Sequence, residues 1–120
     1  MSANRVMTET EADIVSSICE ALSLMGYIPL RVNQYRADQS GSDVISDLVI
    51  TSEKWRFGEA FLLEVKKPGG RLGKRRPSYR NRTFGYSQQD LYDMKRIDVV
   101  FSVDEAIQAV RFYEQRRLSK

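Results

Sequence analysis

The sequence predicts an α/β fold in which a central mixed sheet is flanked by helices, with the elements in the order αβββαβα. Three observations predict it. Apolar residues recur at helical spacing near both ends of the chain, short β-branched segments lie between them, and turn residues separate the two kinds of segment. The 120 residues are enough for a hydrophobic core without disulfides or a structural metal, so we expect a single domain over 1–120.

The first half of the chain predicts one helix and three strands. Thr8 and Glu11 have the spacing of a capping box and Gly26 is typical of a helix end, so a helix is expected from 8 to 25. Its apolar positions follow the helical period: Ile14, Val15, Ile18, Cys19, Leu22 and Met25. Trp55 is expected to fill the core or the hairpin end. Three extended segments follow the helix, and the last two are close enough to form a hairpin: 27–33, 44–51 and 55–66.

The second half predicts two helices around one short strand. Ser87 has the chemistry of an N-cap, and Ser102 with Glu105 repeats the capping-box spacing. A polar, arginine-rich stretch without any period precedes them, and we interpret it as a basic loop insertion. The expected segments are the loop at 71–86, a helix at 87–96, a strand at 97–101 and a helix at 102–116.

The composition excludes several classes of enzyme. The chain has no histidine and a single cysteine, Cys19. This excludes Ser-His-Asp hydrolysis, nucleases with a histidine base, and zinc sites built from imidazoles or several thiolates. Catalysis would depend on carboxylates, lysines, hydroxyls and a hard metal ion. The chain has no apolar stretch of membrane-spanning length and no secretory signal at its start, so we expect a cytoplasmic protein without membrane contact.

The positive charge is concentrated in one segment. The net charge of the chain is only +3, from 19 basic and 16 acidic residues. Six of the basic residues lie within the predicted loop, which leaves 13 basic against 16 acidic residues elsewhere. Such clustering is typical of a polyanion-binding surface, although a solvated charged loop has the same composition. The six are Arg71, Lys74, Arg75, Arg76, Arg80 and Arg82.

The segment FLLEVKKPGG places charged side chains on a strand that is otherwise apolar. The two-residue period puts Glu64 and Lys66 on one face of the strand. Asp47 lies in the preceding predicted strand, and a hairpin pairing 47 with 64 would join two carboxylates and one lysine. A divalent cation would relieve the repulsion and desolvation of these carboxylates. Mg²⁺ accepts one or two carboxylates together with phosphate oxygens and water.

The alternative interpretation of Glu64 and Lys66 is an ion pair on a wet sheet surface, which is common for a lone Glu-x-Lys. Three neighbouring features favour a metal site instead. Asp47 precedes the pair, Pro68-Gly69-Gly70 ends its strand, and the basic segment follows directly.

An aspartate on one strand followed by Glu-x-Lys on the next resembles the PD-(D/E)xK nuclease superfamily. In its details the chain is similar to the VRR-NUC (virus-type replication and repair nuclease) branch. The resemblance covers about 8–112, and EVKKPGGRL is its most specific part. The segments that carry it are Glu11, Arg31–Asn33, Ser46–Leu48, Glu64–Leu72, Ser87–Gln88 and Ser102–Ala106.

The resemblance implies a restriction-endonuclease-like fold and a set of site residues. Asp47, Glu64 and the Val65 carbonyl would be metal ligands, and Lys66 the catalytic lysine. Two further residues would join the catalytic set. Gln88 would be the family's glutamine, with Gln89 as the other candidate. Glu11 would reach the site from the first helix, unless it serves only as the capping partner of Thr8.

The chain departs from the family pattern at two places. Ser46 stands where the family usually has a proline, which shapes the strand and binds no metal. The basic segment LGKRRPSYRNRTFGY intervenes before the glutamine helix, so the glutamine assignment stays open between Gln88 and Gln89.

The expected function is that of a Mg²⁺- or Mn²⁺-dependent endodeoxyribonuclease that cleaves branched DNA, such as four-way junctions or flaps. The resemblance further implies a homodimer and a phage or prophage protein acting in the host cell. A nucleic-acid-binding protein that keeps the fold without turnover is the alternative, and a partner-binding domain of a phage assembly is a third reading. Tyr79, Phe84 and Tyr86 would stack on exposed bases. The expected phosphate contacts are Lys67, Arg71, Lys74, Arg75, Arg76, Arg80, Arg82 and Arg31, the last with a carboxylate partner as its alternative.

Overall fold

The computed structural model describes residues 10–32, 46–74, 78–79, 82–83 and 85–118, with the backbone alone at 78–79 and 82–83. Within these residues three helices and six strands follow one another: α1 (Glu11–Leu24), β1 (Ile28–Arg31), β2 (Leu48–Thr51), β3 (Phe61–Val65), β4 (Ser78–Tyr79), β5 (Arg82–Thr83), α2 (Gln88–Asp93), β6 (Asp98–Val100) and α3 (Val103–Leu118). None of the helices in this part of the chain has the length and apolar character that a membrane span requires.

Four of the strands form one mixed sheet in the order β1-β2-β3-β6. The pairs β1–β2 and β2–β3 are antiparallel, and β3–β6 is parallel. The parallel pair needs a crossover, and the segment from the end of β3 through α2 supplies it. An α/β architecture with a mixed sheet flanked by helices is therefore confirmed.

The core lies between one face of this sheet and the helices α1 and α3, which contact each other and β3. Residues of β2 and β3 alternate between the two faces, so every second side chain enters the core. Burying such a side chain stabilises the fold by about 1.5–3 kcal/mol. The buried members from the sheet and helices are Leu48, Ile50, Leu63, Val65, Val100, Ile14, Val15, Ile18, Leu22, Ala106 and Val110.

The strands of the β2–β3 hairpin are shorter than predicted. β2 begins at Leu48 and Asp47 lies in the bend before it, while 44–45 lie outside the described residues. β3 begins at Phe61 because 52–60 form successive turns, in which the Trp55 N–H donates to the Ser52 carbonyl at 3.1 Å. Trp55 is buried in the core, one of its two expected positions.

The first helix is capped later than the sequence suggested. Its N-cap is Thr10, whose hydroxyl accepts from the Asp13 N–H at 3.0 Å, while the Asp13 carboxylate accepts from the Thr10 N–H at 3.1 Å. The predicted Thr8–Glu11 box is therefore wrong as the helix cap. Thr8–Glu11 and Thr10–Asp13 both have the spacing of a capping box, and the helix uses the second pair, with Asp13 at its third position. Thr8 lies outside the described residues. The Ser87 cap is confirmed, with Asp90 as its partner.

The predicted basic loop contains secondary structure that the sequence did not indicate. β4 and β5 pair antiparallel, with Ser78 opposite Thr83 and Tyr79 opposite Arg82. Only two residues, 80 and 81, separate these strands in the chain. The predicted order αβββαβα lacks this small ribbon, because two-residue strands carry no usable hydrophobic period.

Candidate active site

Asp47 and Glu64 are brought together by the register of the β2–β3 hairpin. Leu48 lies opposite Leu63, so the next positions along the two chains are Asp47 and Glu64. Residues opposite each other in an antiparallel pair share a face, which here is the face turned away from α1 and α3. Asp47 accepts a hydrogen bond from the Val65 N–H at 2.8 Å to Oδ2, and this bond fixes the aspartate beside β3.

Glu64 is a buried carboxylate with incomplete hydrogen bonding. Its residue is 4% exposed, its Oε2 lies 3.3 Å from the Lys66 Nζ, and its Oε1 is buried without a hydrogen-bond partner. Burial, and then the negative charge of Asp47, raise the pKa of Glu64 to about 7, although Lys66 and Gln88 act in the opposite direction. A positive charge beside Oε1 would offset both the burial and the repulsion.

The structure brings Gln88, and not Gln89, to this carboxylate. The Gln88 Oε1 accepts from the Gly73 N–H at 3.1 Å, and its side chain also hydrogen-bonds Glu64, which lowers the pKa of that carboxyl. Gln89 instead donates from Nε2 to the Asp93 Oδ1 at 2.9 Å along α2. Because the Gln89 N–H also bonds the Gly73 carbonyl, the segment after β3 is fastened to the start of α2.

Glu11 lies at the exit of β3 but not against the two carboxylates. It is the first residue of α1, and its Oε2 accepts from the Lys67 N–H at 3.4 Å. Among the described residues, no group of three or more acidic, histidine or cysteine side chains is placed to hold a metal ion. A cation bound here would therefore have Asp47, Glu64 and the predicted Val65 carbonyl as protein ligands, with water and substrate oxygens completing its shell.

The residues present fit a hard divalent cation in three respects. Two carboxylates share one face of the sheet, one of them has an orphaned buried oxygen, and both supply the oxygen ligands that Mg²⁺ and Mn²⁺ prefer. Such an ion would supply the positive charge that Lys66 gives to only one oxygen of Glu64.

The predicted phosphate contacts divide into three groups. Lys67, Arg71 and Lys74 are exposed on the segment that leaves β3. Arg31 lies opposite Leu48 on the helix-covered face and donates to the Ser16 hydroxyl at 3.2 Å, so the structure does not bring it to Glu64. The others have no described side chain: Arg75, Arg76 and Arg80 lie outside the described residues, and Arg82 is described by its backbone in β5. Of the predicted stacking residues, Tyr79 is described by its backbone in β4 and Phe84 lies outside the described residues. Tyr86 is 56% exposed.

Gly70 lies against the side chain of Lys66. From the sequence, Gly70 is expected only to help end the strand. A Cβ at Gly70 would lie 3.0 Å from the Lys67 carbonyl oxygen and 3.1 Å from the Lys66 Cβ. The Gly70 N–H also donates to that Lys67 carbonyl at 2.8 Å. Glycine therefore allows the turn to close against the stem of Lys66.

If the site cleaves DNA, as the motif resemblance implies, Gly70→Ala is expected to lower the single-turnover rate of cleavage by about 10- to 100-fold, because a displaced Lys66 ammonium loses its alignment. Binding of DNA should change little. Gly73→Ala is the matched control, since its Cβ would meet only the Gln88 Oε1 at an ordinary 3.6 Å. Equal rates for the two variants would show that the Gly70 turn does not position Lys66.

No family model, curated protein or solved structure matches the chain in the three comparisons made. What the chain does must therefore be inferred from the chemistry of this site and from the motif resemblance.

Proposed function

We propose that the chain is a Mg²⁺- or Mn²⁺-dependent endodeoxyribonuclease of the VRR-NUC type, with a restriction-endonuclease-like arrangement of its sheet. One observation carries the proposal. The buried Glu64, with its orphaned Oε1, lies beside Asp47 and 3.3 Å from the Lys66 ammonium. A purely structural Glu–Lys pair on a wet sheet would leave the carboxylate solvated, and this carboxylate is not.

Each polar residue of the site then has a role in phosphodiester hydrolysis. Asp47, Glu64 and the Val65 carbonyl would hold the cation, which when bound supplies Lewis-acid stabilisation of the phosphate and a lower pKa for water. Lys66 orients the attacking water or stabilises the negative charge that develops on the phosphate. Gln88 fixes the Glu64 carboxylate.

Glu11 has a supporting role in this proposal. Its carboxylate accepts a hydrogen bond from the Lys67 N–H, directly after β3. Glu11 therefore positions Lys66 through the backbone that follows this catalytic lysine.

The surface after β3 supports DNA as the substrate. Lys67, Arg71 and Lys74 are exposed and follow Lys66 directly, so they can contact phosphates flanking the scissile bond. Branched DNA, a homodimer and action in the host cytoplasm rest on the resemblance alone. A dimer would provide the two related cuts that a symmetric junction needs.

The test is a substrate panel with purified protein. Four-way junctions, flaps, nicked duplex, plain duplex, single strands and RNA-containing duplexes are incubated with Mg²⁺, Mn²⁺, Ca²⁺ or EDTA. Cleavage with Mg²⁺ or Mn²⁺ and none with EDTA is expected.

Two other results would favour the alternatives. Binding with a steep salt dependence and no cleavage of any substrate would favour a nucleic-acid-binding protein without turnover. Neither binding nor cleavage would favour a partner-binding domain.

A further inference from the structure

The turn between β2 and β3 presents one aromatic side chain entirely to solvent. Phe57 has a relative exposure of 106%, more than any other large apolar residue in the described part of the chain. It lies between Arg56 and Gly58, and Lys54 is also exposed on this turn. Single exposed apolar residues are common on protein surfaces, so exposure alone implies nothing.

This turn is fixed to the body of the protein by several polar contacts of Glu59. Glu59 accepts from the Arg56 N–H at 2.9 Å, from the Tyr113 hydroxyl at 2.6 Å, and from two nitrogens of Arg117. The Glu59 N–H returns to the Arg56 carbonyl at 2.9 Å, and the Glu59 carbonyl accepts from the Thr51 hydroxyl at 2.9 Å. Arg56, directly before Phe57, and Glu59, two residues after it, are thus held in place.

A second anchor precedes Phe57 in the same turn. Trp55 is buried, and its indole N–H donates to the Glu114 carboxylate of α3 at 3.0 Å. Its ring packs against Tyr27 and Tyr113, and the Arg117 guanidinium lies over it. Phe57 is therefore held at the apex of a preorganised turn, which reduces the entropy lost when it binds something.

The charges on this turn favour a polyanion as its partner. The Glu59 carboxylate is paired with Arg117 of α3, and the Glu114 carboxylate accepts from Tyr27 and Trp55. The remaining acid of the turn, Glu53, is exposed. Lys54 and Arg56 are both exposed and precede Phe57 in the same turn. An exposed aromatic ring on a turn that also carries two exposed cations is a combination that binds nucleic acid, with bases stacked on the ring and phosphates contacted by the cations.

The position of the turn sets its distance from the candidate active site. β3 runs from the turn towards Glu64, and the four steps from Ala60 to Glu64 span about 13 Å at 3.3 Å per residue. At 3.4 Å per nucleotide step, this equals about four steps of a DNA helix. A DNA arm must therefore be longer than about four nucleotide steps to extend from the site to the turn that carries Phe57.

We propose that Phe57, with Lys54 and Arg56 before it in the same turn, is a second DNA contact, and that it stacks on an unpaired base or an opened base step of an arm that extends past the cleavage site. The inference rests on the proposed nuclease function. It adds a recognition element for branched or frayed DNA at the opposite end of the β2–β3 hairpin from Asp47 and Glu64.

The test measures Kd by fluorescence anisotropy with the full chain in Ca²⁺, on forked DNA with 12-nucleotide or 3-nucleotide arms. Phe57→Ser should raise Kd about 10-fold on the long arms and less than about twofold on the short arms, which end before the turn. Phe57→Trp should restore the affinity and Phe57→Leu should not, because stacking needs an aromatic ring. Leu24→Ser is the matched control, since Leu24 is 84% exposed and has no cation on either side.

The outcomes separate this inference from the function on which it rests. If the unmodified protein binds and cleaves forked DNA but Phe57→Ser behaves as wild type on both arms, the second contact is overturned and the nuclease stands. If Phe57→Leu binds as tightly as wild type, the contact is not aromatic stacking and the inference is overturned. If Phe57→Ser only weakens self-association in sedimentation, the turn is a protein interface and the inference is likewise overturned. If the unmodified protein shows no DNA binding, both proposals fall.

Discussion

Lys66→Met is expected to lower the single-turnover rate of DNA cleavage by about 10³-fold, while the Kd for DNA changes by less than about twofold. Methionine keeps the unbranched stem that packs beside Gly70 and removes only the ammonium, which lies 3.3 Å from the Glu64 Oε2. An ammonium that stabilises charge developing at the phosphate contributes to the transition state and little to the bound ground state. The rate is measured at saturating protein with Mg²⁺, and Kd separately in Ca²⁺.

Lys67→Met provides the matched control for this prediction. Lys67 is the next residue, is exposed, and is expected to contact phosphate without taking part in the chemistry. Its replacement should raise Kd by a few fold, with a shallower salt dependence, and leave the single-turnover rate close to wild type. A Lys66→Met variant that cleaves within tenfold of wild type would remove the lysine from the mechanism, whatever its affinity.

That Glu64 and Lys66 share one face of β3 was predictable, because the two-residue period of a strand fixes it locally. The pairing of 47 with 64 depends also on the length of the turn, and the predicted strands 44–51 and 55–66 would place 47 opposite 59. The observed turn over 52–60 is longer, so Leu48 lies opposite Leu63, 47 lies beside 64, and the alternate positions are buried in the core. The same rule places Arg31 opposite Leu48 and so on the other face, which the sequence could not show without the register of β1.

The start of β3 could not be predicted, because it is set by contacts between distant parts of the chain. Glu59 bonds Tyr113 and Arg117, which lie 54 and 58 residues further along. Those bonds hold the residues before Phe61 in a turn, although their local pattern also suits a strand. Local propensity carries no information about such partners.

The choice between Gln88 and Gln89 was undecidable for a related reason. Both residues open α2, and helical spacing alone allows either to turn towards the sheet. In the structure the Gly73 N–H donates to the Gln88 side chain, which keeps Gln88 at the site. The Gln89 side chain instead donates to Asp93. The requirement for glycine at position 70 likewise depends on how closely the turn approaches the stem of Lys66.

Glu64→Gln is expected to abolish cleavage and yet to stabilise the metal-free protein at pH 8. In the folded state the pKa of Glu64 is raised from 4.5 to about 7 by burial and by Asp47. A carboxyl whose folded pKa is raised favours folding below its unfolded pKa, and this contribution is lost as the pH rises from about 4.5 through 7. The loss amounts to about 3 kcal/mol for a shift of this size. Glutamine carries no charge, so the variant does not lose this contribution.

Thermal unfolding at three conditions checks this prediction. In EDTA at pH 8 the Tm of Glu64→Gln should exceed that of wild type by about 5–10 °C, and at pH 4.5 the two should nearly coincide. Adding Mg²⁺ at pH 8 should raise the Tm of wild type and leave the variant unchanged, because a ligand stabilises only the protein that binds it. Glu20→Gln, at an exposed position of α1, should follow wild type throughout. If Glu64→Gln is less stable than wild type in EDTA at pH 8, the Lys66 ammonium already satisfies the charged carboxylate. The buried Oε1 would then give no reason to infer a cation.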